Sequence, residues 1–267
     1  MRRLALLAVA TAVFGWVAAA NAGTTPNAHG QLLHVRANTN QSSNWFGYNQ
    51  GSLERGGTQF NAITGDWVVP AATSHTAGQD EYSSDWIGIG GGCVDAACTV
   101  GDNTLIQTGT ESDVGASGAT SYGAWWEIIP GPSIDITNMA IAPGDHMHAS
   151  IAEIVAGSNL WTITLQNVTR GQTFTQTVPY TSSHLTAEWI EETPLLLDPT
   201  SPGLAALPNL TSPAFDSATV NGRPANLQAS EAMQLIDSNG SVIGTPSAPD
   251  AQADGFQACA WSTTCAG

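Results

Sequence analysis

The sequence predicts an all-β protein, a sandwich or a barrel, and three observations lead there. Short runs of β-branched and aromatic residues alternate with turn clusters along most of the 267 residues. Glycine and threonine are frequent, lysine is absent, and no long stretch repeats apolar residues at helical spacing. In 161–166, Trp161, Ile163 and Leu165 interleave with Thr162, Thr164 and Gln166, which sends one set inward and the other to solvent.

In chain order, Met1-Arg2-Arg3 and an apolar run over 4–20 end in Ala20-Asn21-Ala22, the pattern of a secretory signal cut after residue 22. Residues 23–40 lack periodicity and read as a short pro-segment or a disordered arm, leaving 41–267 as one domain. Strands are predicted over 62–69, 83–89, 103–111, 121–129, 146–155, 185–192 and 215–221. Thr169-Arg170-Gly171-Gln172 turns 161–165 into 173–178, and Asn239-Gly240 joins 232–236 to 241–244 as a second hairpin. The stretch 198–213 holds four prolines and predicts a surface loop, and 246–255 predicts another exposed connection.

Charge narrows the function. Two of the six arginines and none of the 22 carboxylates precede residue 23, so the exported chain carries four cationic side chains against 22 anionic ones. Nucleic acid and anionic membranes are excluded as partners, and no segment after the signal is apolar enough to span a bilayer. Unpaired carboxylates repel near neutrality and stop doing so as they protonate around pH 4, which predicts a protein that works in acid; the signal makes it secreted, and a monomer is expected. Cys93, Cys98, Cys259 and Cys265 favour disulfides over metal in an exported chain. Their spacing suggests two local loops, although three pairings exist. His146 and His148 share a strand face and read as exposed histidines rather than metal ligands, so no metal and no cofactor is expected.

Side-chain alternation puts Trp125 with Glu127, Gln107 with Glu111, and Glu188 with Ile190, each pair on one strand face. Polar groups sharing a face with large apolar ones suggest a groove. The segments Ser42-Ser43-Asn44-Trp45, Gly65-Asp66-Trp67-Val68-Val69-Pro70, Ser84-Asp85-Trp86-Ile87-Gly88-Ile89, Leu105-Ile106-Gln107-Thr108-Gly109, Ala124-Trp125-Trp126-Glu127 and Ala187-Glu188-Trp189-Ile190 follow in the order seen in the eqolisins, the glutamic peptidases, which the chain resembles over 42–192. The resemblance implies a β-sandwich of two antiparallel sheets, similar to the concanavalin A-like lectins and glucanases, and a pepstatin-insensitive acid endopeptidase acting on polypeptides. It implies that Gln107 and Glu188 are catalytic, that Trp125 and Glu127 line and support the site, and that Trp45 and Trp86 are groove tryptophans. Glu111 stands where the family usually has aspartate, Gly123 replaces another aspartate, and the stretch from Trp86 to Gln107 is longer.

The chemistry is arguable from the residues themselves. A carboxylate can take a proton from water, and a glutamine can donate to the oxyanion that forms when that water attacks a peptide carbonyl. There is no Gly-x-Ser-x-Gly and no His-Glu-x-x-His. Two rival readings are a glycosidase built on Glu127 and Glu188, and a lectin-like carbohydrate-binding module whose tryptophans stack on sugars.

Overall fold

The computed structural model describes residues 27–28, 40–196 and 203–267. The predicted signal and nearly all of the predicted pro-segment lie outside these residues. No described helix is long and apolar enough to cross a membrane. The helical content among the described residues is a three-residue 3-10 turn, Ala229–Glu231.

Thirteen strands of five residues or more build the fold. They are β1 Trp45–Gly51, β2 Ala62–Val68, β3 Ser84–Gly90, β4 Leu105–Val114, β5 Thr120–Ile128, β6 His146–Glu153, β7 Leu160–Asn167, β8 Gln172–Pro179, β9 Thr186–Glu192, β10 Ala214–Val220, β11 Ala232–Ile236, β12 Val242–Pro246 and β13 Phe256–Ala260. One antiparallel layer runs in the order β1-β9-β3-β4-β5 and the other in the order β8-β7-β6-β2-β10. β11, β12 and β13 connect the edge of the first layer, at β1, with the edge of the second, at β10.

The predicted alternation governs the second layer. In β2, β6 and β7 every second residue is buried, and Ile63, Trp67, Met147, Ala149, Ile151, Trp161, Ile163 and Leu165 point into the sandwich. They meet Ile87, Ile89, Ile106 and Trp189 of the first layer in one continuous core. Two indoles bond across it, Trp189 Nε1 to Thr64 O at 2.9 Å and Trp67 Nε1 to Thr110 Oγ1 at 2.9 Å. The first layer breaks the alternation, because all residues of β1, β3 and β9 are buried. Its outer face carries a second apolar cluster of Trp45, Trp86, Leu105, Trp125 and Ile190. Strands covered on both faces read as continuous runs, which is why β1 has no period-two signal in the sequence.

The remaining expectations divide. The cysteines close two local loops, Cys93–Cys98 and Cys259–Cys265. Ala205 and Leu207 of the proline-rich stretch are buried, and Asn209–Leu210 pairs with Ala72–Thr73, so that stretch is not wholly a surface loop. Residues 197–202 lie outside the described residues. β13 occupies a segment with no predicted strand; it is held by β12 and β10 rather than by its own pattern. His146 and His148 both bond to Asp66, at 2.9 and 2.5 Å.

Candidate active site

Register across the first layer assembles the site. Glu188 on β9 stands opposite Asn49 on one side and Gly88 on the other; Gly88 stands opposite Gln107, and Gln107 opposite Glu127. These five residues form a transverse row on the outer face, one from each strand of the layer. Neighbouring strands lie about 4.8 Å apart, so the backbones of Glu188 and Gln107 are separated by roughly 9.6 Å. Glycine in the middle contributes no side chain of its own there, and Leu105 and Trp86 close over it. A Cβ at Gly88 would stand 2.9 Å from both Leu105 Cδ1 and Trp86 Cζ3 and 3.3 Å from Gln107 Cβ.

The side chains of the row are oriented by their neighbours. Gln107 Nε2 donates to Glu127 Oε2 at 2.9 Å. The amide is planar, so fixing one N–H on Glu127 also fixes the direction of the other. Glu188 is fully buried, and among the described residues neither carboxyl oxygen makes a hydrogen bond of ordinary geometry. Burial pushes its carboxyl well above the usual carboxylate range; the Thr186 hydroxyl acts against this, and the charge of Asp102, a smaller effect, adds to it. A charged form stripped of water is disfavoured, so this group binds a proton more tightly than an exposed glutamate does.

The row beside it is aromatic. Ile190, Trp86, Gly109 and Trp125 succeed one another across β9, β3, β4 and β5. Trp45 and Trp86 meet edge to face with centroids 4.8 Å apart. Both donate to Glu192, Trp45 Nε1 to Oε1 at 3.2 Å and Trp86 Nε1 to Oε2 at 2.9 Å, while Trp125 Nε1 donates to Ser84 Oγ at 3.0 Å. A buried indole N–H without a partner costs about 1–3 kcal/mol, so these acceptors are what permit three tryptophans beside the row. Trp45, Trp86 and Trp125 are therefore buried, but in the outer cluster and not in the interior of the sandwich.

Glu111 and Gly123 turn out to be one feature. They lie directly opposite each other on β4 and β5, and a Cβ at Gly123 would come 3.6 Å from Glu111 Oε2. A longer acid faces a residue with no side chain, so its carboxyl group extends over the space a second aspartate would fill.

All seven residues singled out from the sequence, Trp45, Trp86, Gln107, Glu111, Trp125, Glu127 and Glu188, lie on this one face. Glu192, Gly88 and Asn49 were missed. Glu192 falls four residues after Glu188 and so on the same strand face, a signal present in the sequence but masked by the acidic run Glu191-Glu192. Asn49 sits on β1, where no strand was expected.

The Peptidase A4 family model matches residues 43–253. Aspergillopepsin-2 of Aspergillus niger is 26% identical, with 82% of this chain and 79% of that protein covered. Among solved structures, scytalido-glutamic peptidase bound to a transition state analog inhibitor superposes with a TM-score of 0.62 at 20% identity, covering 82% of this chain and 98% of the other. Aspergilloglutamic peptidase from Aspergillus niger gives a TM-score of 0.52 at 26% identity over 67% of this chain and 99% of the other. With the family model spanning most of the described domain, the chain belongs to the peptidase A4 family, the eqolisins, and is a glutamic endopeptidase.

Proposed function

We propose that this endopeptidase is secreted, works in acid on unfolded polypeptides, and cleaves them with Glu188 and Gln107 acting on a water held above Gly88. The observation that carries the reading is the transverse row, in which a buried carboxyl group and an oriented amide stand on one sheet face, two strands apart, with a glycine between them.

In the first step Glu188 takes a proton from the water while its oxygen attacks the scissile carbonyl carbon. Negative charge develops on the carbonyl oxygen, and a Gln107 Nε2–H donates to it. In the second step the proton held by Glu188 passes to the leaving nitrogen and the C–N bond breaks. Burial suits the second step, in which the acid form must be populated as the amine departs; it also makes the ionised form the stronger base but leaves only a small fraction of it in acid, so cleavage rises with pH along the acid limb. Glutamine adds no charge, so nothing stabilises the ionised form of Glu188 in the way a lysine would. Glu127 acts by holding the amide plane of Gln107.

The glycosidase alternative would need Glu127 as a reacting carboxyl group, but here it is engaged by Gln107. Export is supported by the signal pattern of residues 1–22 and by the two disulfides. The test is digestion of a denatured protein near pH 3 with pepstatin present, comparing the wild type with Gln107→Ala and Glu127→Gln. Loss of about 10²- to 10³-fold in kcat is expected for Gln107→Ala, the usual penalty for one oxyanion donor. Near-normal cleavage by Gln107→Ala would remove the basis of this reading.

A further inference from the structure

The connection from β3 to β4 folds back against the row. It leaves β3 at Gly90, is stapled by Cys93–Cys98, and returns at Asp102, whose N–H donates to Gly92 O at 2.9 Å. Asn49, directly opposite Glu188, commits its whole amide to this loop. Its Nδ2 donates to Cys93 O at 2.9 Å and its Oδ1 accepts the Cys93 N–H at 3.0 Å, the two-point grip that one strand makes on the next. Thr186 Oγ1 accepts the Gly92 N–H at 3.2 Å. Between these anchors the backbone passes so close that a Cβ on Gly92 would stand 1.7 Å from Asn49 Oδ1 and 2.7 Å from Glu188 Oε1. Asn49 is only 5% exposed, and burying an amide there is worthwhile only if both of its groups are bonded.

We propose that Asn49 is a positioning residue for the peptidase reaction, holding the loop backbone at Gly92 against the Glu188 carboxyl group and keeping water from that side of it. The inference rests on Glu188 being the catalytic base. The groups that bear on Glu188 are Thr186 on its own strand, Asn49 on β1, Gly88 on β3 with Gln107 and then Glu127 beyond, and Gly92 and Asp102 from the loop. Of the groups nearest to it, only Asp102 is charged. Loosening the loop admits water to the carboxyl group, which favours its ionised form, while Asp102 stays held by Thr104 and Ser183. A base must be ionised in the free enzyme, so Glu188 governs the acid limb of kcat/KM. The Asn49 grip therefore sets how far into acid the enzyme remains active.

The test reads Glu188 directly. Its carboxyl C=O band is followed with pH in infrared difference spectra against Glu188→Gln, in the wild type, Asn49→Ala and Gly92→Ala, alongside pH profiles of kcat/KM. In Asn49→Ala the Glu188 titration moves to lower pH by about half a unit or more, the acid limb moves with it, and kcat falls about tenfold while KM stays within about threefold. Gly92→Ala drives a methyl group into Asn49 Oδ1 and so breaks the same grip from the loop side, displacing both quantities in the same direction. If Asn49→Ala does not fold, Gly92→Ala decides. A loss of kcat with neither titration displaced, in folded protein, overturns the proposal and leaves Asn49 a purely structural residue. Cleavage that survives Glu188→Gln overturns the catalytic reading instead, and the infrared titration remains interpretable in that case.

Discussion

Glu188 and Gln107 face each other across Gly88, one residue on each of three adjacent strands and all three side-chain positions on the same face of the sheet. If the proposed dyad acts on a water between them, Gly88 matters as much as the two polar groups. Gly88→Ala places a methyl carbon 2.9 Å from Trp86 and Leu105 and 3.3 Å from Gln107 Cβ, in the interval proposed for the attacking water. We expect kcat/KM to fall about 10²-fold, the usual result of misplacing reacting groups by about an ångström, while circular dichroism shows a folded protein. Wild-type activity in Gly88→Ala would mean that the water is held elsewhere.

A second carboxyl pair governs stability. Asp85 and Glu191 lie opposite each other on β3 and β9, both fully buried on the sandwich side of the layer. The inward side chains of the facing strands, Ile63, Trp67, Met147, Ala149, Ile151 and Phe215, carry no charge. Burial pushes Asp85 up to about 7, against the effect of its contact with Glu191; burial and then the charge of Asp85 push Glu191 well above its ordinary range. Below about pH 4 both groups are protonated in the folded and unfolded chains alike, and the pair costs nothing. Between about pH 4 and 7 the unfolded chain releases protons that the fold retains, so stability falls with rising pH by up to about 1.4 kcal/mol per unit for each group. Thermal melts should give a higher Tm at pH 3 than at pH 7, with Asp85→Asn/Glu191→Gln flattening the difference. Equal slopes in wild type and double variant would exclude the pair as the cause.

Glu192 should act as the anchor of the aromatic wall. Glu192→Gln keeps the size of the side chain but replaces one of the two oxygens that receive Trp45 and Trp86 with an N–H donor. One indole loses its acceptor, at a cost of about 1–3 kcal/mol. A lower Tm, a shift in tryptophan emission and a rise in KM larger than the fall in kcat are expected. Unchanged emission and Tm would show that the indoles do not depend on this carboxylate.

The opposed pair Glu111 and Gly123 predicts coupling between the two positions. Gly123→Asp sets a second carboxyl group against Glu111, and like charges directly across a sheet are destabilising. Glu111→Asp/Gly123→Asp shortens the first acid and should recover activity and stability relative to Gly123→Asp alone. A double-mutant cycle on kcat/KM with no interaction between the two sites would contradict the pairing.

Much of this site was legible because strand parity is strict. Gln107 with Glu111, Trp125 with Glu127, and Glu188 with Ile190 were each placed on one face from the sequence, and each pair lies on the outer face of the first layer. What parity cannot supply is register between strands. The sequence does not say that Glu188, Gly88 and Gln107 fall in one row, nor that Glu111 opposes Gly123. β1 escaped because Trp45–Gly51 is buried on both faces and shows no alternation, and Asn49 escaped with it. An acidic run such as Glu191-Glu192 ordinarily lies at a solvated edge, yet both residues are fully buried, one toward each face. Burial of that kind depends on strands distant in sequence, here β1 and β3.

The central claim is that Glu188 moves the proton in peptide hydrolysis, and Glu188→Gln tests it most directly. The substitution preserves size and removes the proton acceptor, so the variant should fold as the wild type does. Its kcat on a denatured protein substrate in acid is measured against that of the wild type over the same preparation and pH range. The account predicts that cleavage falls to the background of a mock preparation. Sustained cleavage by folded Glu188→Gln would contradict it.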